Sequence, residues 1–174
     1  MPFTPYHFGP SACVALPLRK YIDIPVFMLA NVVIDLEPGI VLAFDLNYPL
    51  HGYCHTFLFG TIIGLVWALI AYAARNYLKR LMNFFGLPYQ TSLGKMILSG
   101  LLGIWFHLFL DSICWSDIRP FWPSDANPLS NLATLNTVRL LCAVSFIPAI
   151  ALYIIAVRSR TKEDNRRKVA GDTC

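Results

Sequence analysis

Residues 57–73 read Phe-Leu-Phe-Gly-Thr-Ile-Ile-Gly-Leu-Val-Trp-Ala-Leu-Ile-Ala-Tyr-Ala, an unbroken run without a charge. Its length approaches the ~20 residues that cross the ~30 Å hydrocarbon core of a bilayer as a helix. A second run, Val138 to Val157, is interrupted only by Arg139 near its start. Composition agrees: with 56% apolar residues, 14% charged residues and a mean hydropathy of +0.55 over 174 residues, the chain is too apolar for a soluble domain. The reading is a small integral membrane protein, all-α, built as a helical bundle. No basic segment and no small-residue cleavage motif marks the N-terminus as a cleaved signal peptide.

Working outward from that run, apolar segments between proline and glycine punctuation predict about five helices. The first extends from Gly9-Pro10 to about Leu18 and the second from about Pro25 to Asp35, stopping before Pro38-Gly39. Neither spans a bilayer alone, so the pair is expected to form a re-entrant hairpin or to be extended by turns. The third opens after Tyr48-Pro49, carries His51 and His55 in its first turns and continues to about Leu81. The fourth covers Leu93 to Ile113, with Gly100 and Gly103 set for close helix approach. The fifth covers Leu135 to Val157 and is expected to kink at Pro148. The tryptophan- and proline-bearing stretch from Cys114 to Asn131 reads as an ordered interfacial loop. Residues 1–157 thus form one membrane-embedded domain and 158–174 a basic cytoplasmic tail, disordered from Thr161.

Charge orients this layout. If the helices alternate in direction, twelve of the fourteen Lys and Arg residues fall at one membrane face: Arg19, Lys20, Arg75, Lys79, Arg80, Lys95 and the tail. The positive-inside rule makes that face cytoplasmic, with the N-terminus outside. The opposite face then receives all four histidines (His7, His51, His55, His107) with Asp35, Glu37 and Asp111. Ionisable groups in apolar segments need partners, ligands or water, and His51/His55 and His107/Asp111 are each spaced i, i+4, one helical turn apart. Such a set suits a borderline divalent metal, zinc above all, better than magnesium or calcium. Asn31, one turn before Asp35, is the expected hydrogen-bond partner behind the ligands. Metal centres of this kind commonly serve hydrolysis, and one at the mouth of a bundle can meet a lipid headgroup. Glu37, Asp45, Asp117 and Asp125, taken individually, read as solvated loop acids. The five cysteines read mainly as apolar filler, with Cys54 and Cys114 as spare ligands or a disulfide. The basic tail, carrying Glu163 and Asp164 among its cations, reads as a topology signal, and no nucleic-acid partner is expected.

These residues carry a resemblance. His7 near the start, the turn Ile34-Asp35-Leu36-Glu37-Pro38, His51-Gly-Tyr-Cys-His55-Thr56 and His107-x-x-x-Asp111 followed by Arg119-Pro-Phe-Trp-Pro123 stand in the order of the membrane-bound metal-dependent hydrolase family. That family comprises small inner-membrane proteins, one of whose members is described as LexA-binding, and the order is distantly similar to that of zinc-dependent phospholipases C. The resemblance implies an inner-membrane hydrolase acting on a phosphoester of a lipid or lipid-linked substrate. It implies His7, Asp35, His55, His107 and Asp111 as metal ligands. To these the reading adds His51 as a further ligand or general acid or base, and Glu37 as an outer base. The chain departs from the family in having Glu37-Pro38 where many members carry an Asp-His pair, and no histidine after His107, which favours one or two ions over three. Two rivals predict otherwise: a haem-binding electron-transfer protein, and a non-catalytic membrane protein that recruits partners.

Overall fold

A computed structural model describes residues 5–171, with side chains through Thr161. Within them the chain forms α1 (Pro5–Ala15), α2 (Ile24–Ile34), α3 (Leu36–Ala43), α4 (Phe57–Ala73), α5 (Arg75–Phe84), α6 (Leu93–Cys114), α7 (Leu135–Val144) and α8 (Phe146–Gly171), plus a 3₁₀ turn at Tyr53–His55. No strand occurs among the described residues. Three segments are long and apolar enough to cross a membrane: Ile24–Ala43, Leu93–Cys114 and Leu135–Thr161. A fourth is added if α4 and α5, bent by 77° at their junction, count as one broken span.

Proline places two of the breaks. Pro38 has no N–H to give to the carbonyl of Ile34, four residues earlier, and α2 ends at Ile34. Pro148 likewise cannot bond to Val144, and α7 ends at Val144. Both helices resume after a single residue, Asp35 or Ser145, so each break is a local kink within a longer segment. Of the two expectations for the short pair, extension by further turns holds for the second: α1 stays one short helix, while α2 continues through α3 as a broken segment of 20 residues. The helix predicted from His51 to Leu81 is also divided. It begins only at Phe57, where Thr56 caps the amide of Phe59, and it ends where the sequence changes from apolar to basic at Arg75. The tail expected to be disordered from Thr161 is helical through Gly171. Its basic side chains beyond Thr161, and Cys174, lie outside the described residues.

Glycine sets the centre of the bundle. A Cβ on Gly100 would stand 2.5 Å from the carbonyl oxygen of Gly64, and one on Gly103 would stand 2.6 Å from that of Phe27. α6 thus meets α4 and α2 at backbone contact, the approach that drives helix association in lipid, where apolar burial alone gives little preference. The Trp67 indole donates to the carbonyl of Val26 at 2.9 Å and ties α4 to α2. Beneath the functional end, Ala30, Ile34, Ile104 and Leu108 form a buried apolar floor with Phe57 and Trp67 packed against it. α2 and α6 rise in the same direction while α1, α4 and α8 descend. His7, Asp35, His55 and Asp111 consequently share one end of the bundle.

Candidate metal centre

Four segments converge at that end. Asp35 stands at the α2/α3 break, where it closes one helix and opens the next. His55 ends the 3₁₀ turn before α4. His107 and Asp111 face inward one turn apart near the end of α6. One ligand atom from each of Asp35, His55, His107 and Asp111 lies within 4.8 Å of the other three. His55 and His107 are fully buried, Asp111 nearly so, and Asp35 is partly open.

The donor geometry fits a cation. His107 Nε2 lies 3.2 Å from an oxygen of Asp35 and 3.3 Å from one of Asp111. His55 Nε2 lies 3.9 Å from the same Asp35 oxygen. Neither ring nitrogen makes an aligned hydrogen bond to any partner. Two buried imidazole nitrogens aimed between two carboxylates, each at a cost of about 1–3 kcal/mol if left unsatisfied, are what a divalent ion would collect. The other edge of His55 is occupied: its Nδ1–H donates to Glu37 Oε2 at 3.0 Å, fixing the tautomer with Nε2 free. The backbone amide of Cys54 donates to Glu37 Oε1 at 3.3 Å. Gly52 leaves room for this carboxylate, since a Cβ there would stand 2.6 Å from Glu37 Oε1. Glu37 thus orients the His55 ring.

His7, on α1 and fully buried, donates from Nε2 to Asp111 Oδ1 at 3.1 Å and stacks on His107 with ring centroids 4.5 Å apart. It holds the Asp111 oxygen that faces away from His107, and stands beside the four-residue group instead of within it. The helix was expected to begin after His7; it begins at Pro5 and so carries this ring inward.

His51 and His55 do not share a helical face. His51 lies in a bend and His55 in the 3₁₀ turn, and their rings meet edge to face at 4.9 Å. His51 Nδ1–H donates to Asp117 Oδ2 at 2.9 Å, and the ring packs against Trp115 at 5.1 Å. Asp117 is therefore no free loop acid, and it and Trp115 are the site residues that sequence reading missed. No local pattern announces them, because Asp117 meets His51 across 66 residues and Trp115 packs on the same ring from the same loop. Burial, then the charge of His55, pull His51 below the ordinary imidazole range, only partly offset by Asp117. For His55, burial pulls downward too, but the neighbouring carboxylates of Asp35 and Glu37 outweigh it and hold the ring above its ordinary value.

Other expectations fall away. Asn31 donates to Ser11 Oγ and to the carbonyl of Met28, tying α2 to α1 instead of backing a ligand. Cys54 and Cys114 are free and lie outside the cluster, and burial pushes the Cys54 thiol up to about 11. A polar cleft of about 520 Å³ lies beside the centre, lined by His51, Thr56, Ser116, Asp117, Arg119 and Trp122, with none of the four clustered residues in its wall. Arg119 pairs with Asp125 at 2.8 Å on its exposed rim. Comparison with protein-family models, with curated proteins and with solved structures found no match.

Proposed function

We propose that the protein is a membrane-embedded, metal-dependent hydrolase acting on a phosphoester of a lipid or lipid-linked substrate. One observation carries this reading: the buried Asp35, His55, His107 and Asp111, with two imidazole nitrogens lacking hydrogen bonds, in a segment set that otherwise belongs in lipid. These four residues would hold the ion, of zinc type by its mixed nitrogen and oxygen ligands. Such an ion supplies Lewis-acid polarisation of a phosphoryl oxygen and makes a water acidic enough to attack near neutral pH.

The chain's own residues do the rest. Asp35 is the most open of the four and faces the solvent side. Glu37 keeps His55 Nε2 directed inward, and His7 steadies Asp111. His51, held by Asp117 with its Nδ1 protonated, keeps Nε2 to accept or return a proton at the floor of the cleft. The cleft admits a headgroup from the aqueous side while the substrate's chains stay in lipid. The positive-inside rule assigns the basic end to the cytoplasm and the centre to the opposite surface of the cell membrane. This reading agrees with what the family resemblance implies.

A second reading has its own support: four protein ligands, three of them buried, make a closed set, as structural ions prefer. The two are separated by assaying purified protein on phosphodiesters and phosphomonoesters with and without chelator. Chelator-sensitive turnover, lost in His51→Gln with the metal retained, supports the hydrolase. Bound metal without turnover on any of them leaves the structural role.

A further inference from the structure

α1, α2, α5 and α8 line a second cavity of about 480 Å³ that runs from Phe8, next to His7, toward the basic end, and its walls are almost entirely carbon. Leu16, Pro25, Met28, Met82, Phe85 and Ala149 line it. Tyr153 is its one wall residue with a polar side-chain group, and its hydroxyl is engaged, donating to the carbonyl of Phe85 at 2.8 Å. α2 and α8 belong to candidate spans, so this groove opens into hydrocarbon and not into water. Along α1 it runs from Phe8 to Leu16, about 12 Å at 1.5 Å per residue, close to the depth of one leaflet.

The rim is cationic. α5 turns away from the axis of α4 by 77°, burying Leu78 and Met82 while leaving Arg75, Lys79 and Arg80 exposed. Arg160 Nη1 donates to the carbonyl of Leu87 at 3.0 Å, at the edge of the groove. Arg19 and Lys95 lie at the same end, the Lys95 ammonium donating to the carbonyl of Arg19. Among the described side chains, Asp23 is the sole acid at this end. It is buried and occupied by the amide of Val26 and the hydroxyl of Thr91.

We infer that this groove and its basic rim form a binding site for one anionic phospholipid, its acyl chain lying between α1, α2, α5 and α8 and its phosphate facing the cations of α5 and Arg160. A carbon-walled groove in hydrocarbon selects a chain, and the exposed Arg75 and Lys79 select negative headgroups over zwitterionic ones. The site is independent of the hydrolytic reading, because it shares no residue with the metal centre.

The test is native mass spectrometry of the full-length protein in detergent, with equal amounts of phosphatidylglycerol and phosphatidylcholine added. Wild-type protein should retain one phosphatidylglycerol, in preference by roughly fivefold or more, the scale of a single cation near an anionic surface. Ile150→Trp fills the groove from an exposed position and should abolish that retention. Lys79→Gln/Arg80→Gln should leave lipid bound while bringing the two lipids to parity. Equal retention of both lipids by the wild type would overturn the inference. So would undiminished phosphatidylglycerol binding in Ile150→Trp, or a dimer mass in place of the lipid adduct.

Discussion

At the residue scale, Asp111 is shared between two histidines, accepting from His7 on one oxygen and facing His107 with the other. Asp111→Asn removes the charge that balances a cation while conserving shape, so bound metal should fall to background in elemental analysis of protein that still elutes as wild type. Glu37→Gln tests the orienting role separately. It replaces an acceptor that fixes the His55 tautomer, and zinc affinity should fall roughly 10–100-fold, the usual cost of losing a partner behind a ligand; unchanged affinity would make Glu37 a bystander. The pH dependence has a definite sign. His55 is held above its ordinary value by Asp35 and Glu37, so a proton competes with an ion for its Nε2 more strongly than at an ordinary imidazole. Affinity should therefore rise with pH through the neutral range, with protons released on binding, whereas a flat profile would exclude His55 from the ligand set. His107 and Asp111 could be seen in the sequence as groups that an apolar segment does not tolerate alone, and His7 through its place in the order of the family that the chain resembles. Asp117 could not, because its role depends on a loop folding back over His51.

At the element scale, the positions of the ligands follow from proline and glycine. Pro38 frees the Ile34 carbonyl and breaks the span at Asp35, and Gly100 and Gly103 bring α6 against α4 and α2 at the height that places His107 opposite Asp35. Gly100→Val forces a side chain against the carbonyl of Gly64, an overpacking of about 1–3 kcal/mol. It should lower the midpoint of thermal unfolding in detergent and weaken metal binding together; a neutral outcome in both would mean that the helices are not held at backbone contact. Much of this was legible in the chain itself. The bounds of α6 are legible almost to the residue, because no proline interrupts the segment between Ser92 and Trp115. The kinks were harder. A proline in an apolar run reads as an end, yet in lipid the backbone has no water to turn to, and the helix resumes as soon as the missing donor is passed. Hence the sequence predicts an end to the second helix before Pro38 and does not announce α3, and it makes His51 and His55 a helical pair when a 3₁₀ turn carries only His55.

At the scale of the molecule, the two ends of the bundle differ in kind: carboxylates and imidazoles at one, cations at the other. A cysteine-accessibility experiment reads the orientation. In a background with the native cysteines replaced by serine, Tyr53→Cys, at a position 53% exposed beside the metal centre, should label in intact spheroplasts with a membrane-impermeant reagent. Lys20→Cys, at the basic end, should label only after lysis. Labelling of both from the same side would break the two-ended arrangement. Four side chains from three distant segments, Asp35, His55 and the His107/Asp111 pair, form one candidate cation site inside the membrane protein. The most direct measurement is the metal content of detergent-purified protein after exposure to zinc and removal of the excess. The account predicts tightly held divalent metal in the wild type and none in the Asp35→Asn/Asp111→Asn double variant; a wild type that holds no more metal than that variant would contradict it.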